Sequence, residues 1–483
     1  MAVLDKLEPS AVFRYFEEIC GIPHGSSNTK MIGDYLINFA KIRNLKCEKD
    51  HLGNVIILKS GTSGYENSPA VIIQGHMDMV CEKTSDTEID FNTEGLKLKL
   101  DGNVISAEGT TLGGDDGIAV AYALALLDSL DIAHPPLEVV ITVDEEIGML
   151  GAADIDCSSL KGRLMLNIDS EDEGHLLVSC AGGVTATCHL PVSYEKNAYK
   201  NVKRLSIMNV TGGHSGVEII KEGANASKVL GRVLYDISRH TDFRLVSISG
   251  GMKDNAIPRE AHAIIAYDDN LDSALIDSYN LILGNEYKAT DENITVELSD
   301  ACDVNEKCMT VASTKKVIAA LVNVPNGISK MSKDIDGLVQ TSLNLGILRT
   351  AMEEEPEVTM SFSVRSSVGT EKEELVMRLD SLMDVLGGNV TTEGAYPAWE
   401  YKRDSKLREL MAAVYKEMYG KEPIIEAIHA GVECGLFAGK LEGLDCVSFG
   451  PQIDDIHTPN ERLYVDSVQR TWKYLLEVLK RLK

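Results

Sequence analysis

The sequence predicts an α/β sandwich with a central mixed sheet, interrupted by an inserted α+β domain. Two changes of texture carry this reading. Up to about residue 184, short strands apolar on both faces alternate with helices, the pattern of a sheet covered on both sides. From 185 to 396 the strands alternate apolar and polar and the helices carry a single apolar stripe. From Ser405 the first texture returns. A returning texture marks an insertion, so 1–184 and 397–483 are expected to form one domain and 185–396 another. A chain of 483 residues is too long for one core and suits two or three domains.

The first segment opens with a helix at 11–20. A second helix, capped by Ser27, Asn28 or Thr29, places Ile32, Leu36 and Phe39 at helical spacing. Runs rich in Val, Ile and Leu at 55–58, 70–74, 137–143 and 163–168 predict buried strands. Between them, 118–127 is almost wholly apolar with Ala at close-packing positions, which predicts a buried helix. In the middle segment, Val358-Thr359-Met360-Ser361-Phe362-Ser363-Val364-Arg365 puts four apolar residues on one face. Stripes through Ala226, Val229, Leu230, Val233, Leu234 and Ile237, and through Leu375, Val376, Leu379, Leu382, Met383 and Leu386, predict helices on one side of that sheet. The last segment reads as a helix carrying Leu407, Leu410, Met411 and Val414, a strand at 445–449 and a final helix capped by Asp466.

Composition excludes several classes of function. Hydrophobic residues make up 44% and charged residues 25%, values of an ordinary globular protein, and no apolar run is long enough to cross a bilayer. The start has no basic region followed by an apolar one, so the cytoplasm is expected and a membrane partner is not. Ten cysteines are scattered without a CxxC pair, as in a protein of reduced, mostly buried thiols. A net charge of -27 with no basic run argues against nucleic acid as a partner.

Chemistry concentrates where the predicted strands end, which is where sites form in open α/β sheets. In Gln74-Gly75-His76-Met77-Asp78, strand alternation puts His76 and Asp78 on one side, so the carboxylate can orient the imidazole as a metal ligand. Gly113-Gly114-Asp115-Asp116-Gly117 precedes the buried helix. Asp144-Glu145-Glu146 follows the most apolar strand, where unpaired acids need a cation or a proton. Asn167-Ile168-Asp169-Ser170-Glu171 repeats a strand ending in an acid, and His457 stands in Asp455-Ile456-His457-Thr458-Pro459. Alone, each string has an ordinary reading as a polar strand end, a turn or an N-cap. Together they supply two imidazoles and three carboxylates, a donor set for Zn²⁺, Mn²⁺ or Co²⁺, and a shared carboxylate can bridge two ions about 4 Å apart.

In this order the strings resemble those of the M20 metallopeptidases over the whole chain. The likeness is strongest to the branch of aminoacyl-histidine dipeptidases (Xaa-His dipeptidases, such as bacterial carnosinases). It is carried by Gly109-Thr110-Thr111-Leu112-Gly113, Asn255-Ala256-Ile257-Pro258-Arg259-Glu260 and His429-Ala430-Gly431-Val432-Glu433-Cys434-Gly435. The resemblance implies two divalent ions per subunit, Zn first and Mn or Co as alternatives. Asp115 would bridge them, with His76 and Asp169 on one ion and Glu146 and His457 on the other. It makes Asp78 the orienting acid, Glu145 the general base and the Asp115–Asp116 peptide cis.

The resemblance also casts the inserted domain as a lid through which a homodimer forms. His214 would donate to the oxyanion, reaching the neighbouring subunit's site, and Asn255 and Arg365 would contact a dipeptide, Arg365 clamping its carboxylate. His429 and Glu433 would line the pocket. The remaining histidines match no site motif and read as surface or core residues. The function expected is dimetal-dependent hydrolysis of dipeptides, with Xaa-His among the candidates. An aminoacylase or carboxypeptidase and a non-catalytic binding protein on the same scaffold stay open beside it, because specificity lies in the pocket and not in the scaffold.

Overall fold

The computed structural model describes residues 3–268, 271, 273–301, 306–352 and 354–483, and Cys302 lies outside them. The chain divides into two compact units. The first is Met1–Ser179, Tyr401–Ala427 and Val432–Lys483, and the second is Cys180–Glu400 with Ile428–Gly431. The second unit therefore extends past 185–396 at both ends and takes in one short later segment.

The first unit is built on an eight-stranded sheet. In spatial order its strands are Lys46–Lys49, Val55–Lys59, Leu137–Thr142, Val71–His76, Leu164–Asn167, Asp445–Ser448, His175–Cys180 and Ile424–Ile428. The sheet is mixed as expected. The strands Leu137–Thr142, Val71–His76, Leu164–Asn167 and Asp445–Ser448 run parallel to one another, while Val55–Lys59 and His175–Cys180 pair antiparallel to this set. Both faces of the central strands are buried, which is why they read as continuous apolar runs.

The helix Gly114–Asp128 is buried almost throughout. Its Tyr122 stacks on Trp472 of the last helix, Val465–Arg481, with ring centroids 5.6 Å apart, and donates to the Val468 carbonyl at 2.9 Å. The returning segment is thereby tied into the core of the first. Two expected caps differ. The helix Lys30–Ile42 starts after Thr29, which makes no side-chain cap. The last helix begins before Asp466, whose carboxylate sits in the first turn and accepts from Arg470 at 2.8 Å and Asn103 at 2.6 Å.

The second unit carries a nine-stranded sheet. Its strands alternate because one face packs under the helices Ala226–Ile237, Val311–Asn323 and Gly369–Leu386, around a core that includes Leu245, Ile265, Leu343, Met360 and Phe362. On the other face, Val246, Ala266 and Cys308 form a small buried cluster. Four neighbouring strands, Val339–Ala351, Glu357–Ser366, Gly182–Pro191 and Asn389–Tyr396, are antiparallel in sequence of space. Among the described residues no helix is long and apolar enough to cross a membrane.

The junction at which the chain re-enters the first unit is held by polar contacts. Ser405 caps the helix Lys406–Tyr419 by accepting from the Arg408 amide at 3.0 Å, and its hydroxyl donates to buried Asp445 at 2.6 Å. Ser405→Ala removes both and is expected to lower stability by about 1 kcal/mol, read as a shift of the denaturant midpoint with unchanged slope.

Candidate metal centre

The parallel strands of the first unit all deliver polar residues at their C-terminal ends. His76 is the last residue of its strand and is paired in register with Thr142, and Gln74 is paired with Asn167. Beneath the strand ends lies a buried polar floor. Asn167 donates to Gln74 at 2.5 Å, Gln74 donates to Glu433 at 2.5 Å, and Thr142 donates to Glu433 at 2.7 Å. Glu433 is fully buried, its second oxygen has no hydrogen-bond partner among the described residues, and burial pushes its carboxyl up to about 8.

Above this floor, Nε2 of His76 lies 3.1 Å from Asp115 and 3.5 Å from Asp169. Nε2 of His457 lies 3.2 Å from the other oxygen of Asp115 and 2.9 Å from Glu146. Asp115 thus faces both imidazoles, one through each oxygen. Glu145 also belongs here, since its carboxylate can meet His76 and Glu146 at one point. The strand ends at Thr142, Asp144 adopts a left-handed φ of 54°, and Glu145 opens a turn whose carbonyl accepts from Gly148 and Met149. That turn is what sends the two glutamates in different directions.

The Nδ1 side of His76 is closer to the Asp78 carbonyl, at 2.9 Å, than to the Asp78 carboxylate, at 3.5 Å. The strand stops at His76, so alternation does not reach Asp78. The carboxylate instead accepts from the amides of Glu145 at 3.0 Å and Glu146 at 3.4 Å and from Ser26 at 2.8 Å. Asp78 therefore organises the glutamate turn as well as the imidazole.

Two further acids escape sequence reasoning. Asp116, joined to Asp115 by a cis peptide, is buried, accepts from the His76 amide at 3.2 Å and can share a point with His76 and Asp169. It fits because Gly75 has no side chain, and a Cβ there would collide with the Asp116 carboxylate. Glu461, four residues beyond His457 and 2% exposed, accepts from the amides of Leu112 at 2.7 Å, Gly113 at 3.1 Å, Gly114 at 2.7 Å and Asp115 at 3.4 Å. It fixes the loop that presents Asp115. An acid so close to the His457 string is the one signal that could have singled it out.

The electrostatics describe a site short of positive charge. Burial, followed by the neighbouring acids Asp169, Glu433 and Glu146, pushes Glu145 up to about 9 against the opposing pull of His76. Burial raises Asp169 to about 6 despite its bond to His76, and raises Glu171 to about 7 with help from Asp115 and Asp169. The hydrogen bonds to Asp115 and Glu146 lift His457 to about 10. Burial opposes charge on His76, but Asp115 and Asp169 still hold its imidazole well above the usual range. Three overlapping sets of donors meet within 4.8 Å: His76, Asp116 and Asp169; His76, Glu145 and Glu146; and Asp115, Glu146 and His457. Mixed imidazole and carboxylate donors of this kind fit divalent transition-metal ions.

The other expected residues lie in the second unit. His214 ends the short strand Gly213–His214, which pairs with Ala256–Ile257 beside Asn255, and the Ser215 amide donates to the Asn255 carbonyl at 2.8 Å. Burial and the nearby Arg365 charge lower His214 below the usual imidazole range. Arg365 is 8% exposed and donates from Nη1 to the Tyr396 hydroxyl at 3.1 Å. Nε2 of His429 meets Ser342 Oγ at 2.7 Å, and burial lowers its imidazole to about 3, so it is neutral. His429 and Glu433, four residues apart, belong to different units.

Residues 72–481 match Peptidase family M20/M25/M40. The chain belongs to this peptidase family. It is 37% identical over 487 residues to the cytosol non-specific dipeptidase of Escherichia coli (strain K12), covering 100% of this chain and 99% of the relative. The crystal structure of aminoacylhistidine dipeptidase from Vibrio alginolyticus superposes with a TM-score of 0.93 at 36% identity, covering 99% of this chain and 97% of that one. Aminopeptidase PepT from Bacillus cereus shares the fold at 15% identity, with a TM-score of 0.60 and 99% of each chain covered. Family membership makes this chain a hydrolase of the metallopeptidase class.

Glu461 offers a direct test of how the loop is held. Glu461→Ala leaves buried amides without an acceptor and is expected to cost at least ~2 kcal/mol, read in thermal unfolding. Glu461→Gln keeps one acceptor oxygen and should lose less.

Proposed function

We propose that this protein is a cytoplasmic dipeptidase that cleaves dipeptides with free termini, Xaa-His among them, using two divalent cations. The observation that carries the reading is Asp115 set between His76 and His457, with Asp169, Glu146 and Glu145 around it. The names of the Escherichia coli and Vibrio alginolyticus relatives support the substrate class. In this reading His76 and Asp169 would hold one ion, Glu146 and His457 the other, and Asp115 would be shared between them. Zn is the first expectation for both positions, with Mn or Co as alternatives. When bound, such ions supply a water acidic enough to deprotonate near neutral pH and polarise the scissile carbonyl.

The chain's own residues do the rest. Glu145 holds no ion, takes the proton of the attacking water and passes it to the leaving amine. Asp78, through the two amides it holds, keeps Glu145 and Glu146 apart in direction. Neutral His214 donates to the developing oxyanion, Asn255 contacts the peptide and Arg365 pairs with its terminal carboxylate. A panel of dipeptides, including Xaa-His, set against N-acyl amino acids separates this reading from an aminoacylase. Turnover of the N-acyl substrates alone would replace it.

Asp115→Ala is expected to empty both positions, measured as metal equivalents after dialysis; one tightly retained equivalent would refute the bridge. Glu145→Gln should keep its metal while turnover falls by about 10²–10⁴-fold, whereas Glu146→Gln should lower metal occupancy. Arg365→Ala should impair dipeptides far more than their C-terminal amides, and equal losses would mark Arg365 as structural.

A further inference from the structure

Four residues of the second unit line up in one row across its sheet. Ser342 is paired with Arg365, Arg365 with Gly183, and Gly183 with Tyr396, on four consecutive antiparallel strands. Directly opposed residues in such a sheet point to the same face, so Ser342, Arg365 and Tyr396 share a side. The strand between Arg365 and Tyr396 contributes only a glycine to this row. A Cβ on Gly183 would stand 2.5 Å from Cε1, Cζ and the hydroxyl of Tyr396. The phenol therefore lies across the bare strand, and its hydroxyl reaches the guanidinium two strands away at 3.1 Å.

The guanidinium has few other commitments. Among the described residues its buried Nε has no hydrogen-bond partner and no carboxylate forms an ion pair with it. On the far side of the row, Ser342 is engaged by Nε2 of His429. A buried cation with a free donor edge awaits an anion, because leaving such groups unpaired is costly. A planar two-pronged donor serves a carboxylate only if its plane is set, and one hydroxyl bonded to Nη1 sets it.

We propose that Tyr396, lying across Gly183, is a positioning residue that fixes the Arg365 guanidinium for a substrate carboxylate and so determines selectivity for peptides with a free C-terminus. This rests on the reading of Arg365 as the carboxylate clamp. The phenol touches no reacting atom. It acts through Arg365, and Gly183 is the space that allows it to do so.

The test compares Tyr396→Phe, Gly183→Ala, the double variant and Arg365→Ala as metal-loaded full-length enzymes, each on a dipeptide and on the C-terminal amide of that dipeptide. Tyr396→Phe is expected to raise KM for the dipeptide about tenfold with little change in kcat, because a hydrogen bond to a charged group is lost, and to leave both constants for the amide within about twofold. Gly183→Ala should displace the ring and give the same selective loss, and the double variant should be no worse than the poorer single one, since both act on one contact. Tyr396→Phe keeps the proposal testable if Gly183→Ala fails to fold. Equal losses on dipeptide and amide in Tyr396→Phe, or a dipeptide KM within twofold of wild type while Arg365→Ala shows its selective loss, would overturn the role of Tyr396 and leave the clamp standing. Equal losses on both substrates in Arg365→Ala would overturn the clamp itself, and the proposal with it.

Discussion

Crowded carboxylates around two imidazoles are the constraint on which the first unit depends. Asp115, Asp116, Glu145, Glu146, Asp169 and Glu171 converge near His76 and His457, and most are shielded from water. Like charges so placed repel, and each loses hydration, so the arrangement persists only if protons or cations compensate it. The upward displacement of Glu145, Asp169 and Glu171 expresses that deficit within the protein alone. A divalent ion between the same donors removes it, which is why the cluster reads as a metal centre and not as a surface patch of acids.

Holding those groups against their repulsion falls to residues that touch main chain. Asp78 gathers the amides of Glu145 and Glu146, and Glu461 gathers those of the loop from Leu112 to Asp115. In each case an anion is spent on backbone donors, which fixes a loop more rigidly than a side-chain pair would, because amides cannot change rotamer. Below the strand ends side chains serve instead: Thr142 and Gln74 donate to buried Glu433, and Asn167 donates to Gln74. The parallel strands bring His76, the Glu145–Glu146 turn and Asp169 to one end of the sheet, and Asp78 and Glu461 set the loops around it.

The α/β character, the inserted alternating region and the convergence of acids at strand ends were legible in the sequence because each leaves a periodic or compositional trace. Val71–His76 has both faces buried and reads as an unbroken apolar run; Glu357–Ser366 has one face under helices and alternates. What the sequence did not disclose is contact between distant segments. Glu461 looks like an exposed loop acid until Leu112 and its neighbours are folded against it. Asp78 reads as a partner of His76 alone, because its bonds to Ser26 and to the amides of Glu145 and Glu146 join segments far apart in sequence. Asp466 looks like a cap because acids favour helix starts, yet the helix already begins one residue earlier. The edge strand Lys46–Lys49 leaves no apolar run to read, because its residues are charged apart from Cys47.

Two glycines show how the same device serves both units. In a buried strand a glycine forfeits side-chain packing and adds backbone freedom to the unfolded chain, so its presence needs a return. At Gly75 the return is room for the Asp116 carboxylate to reach the His76 amide from behind the strand. At Gly183 it is room for the Tyr396 ring to cross to Arg365. In each case a missing Cβ lets a polar side chain lie against a strand that would otherwise exclude it, and the group it reaches, His76 or Arg365, belongs to the chemistry proposed for this protein. A glycine within a buried strand is thus a readable sign that a polar side chain can lie against it, even when that partner is far away along the chain.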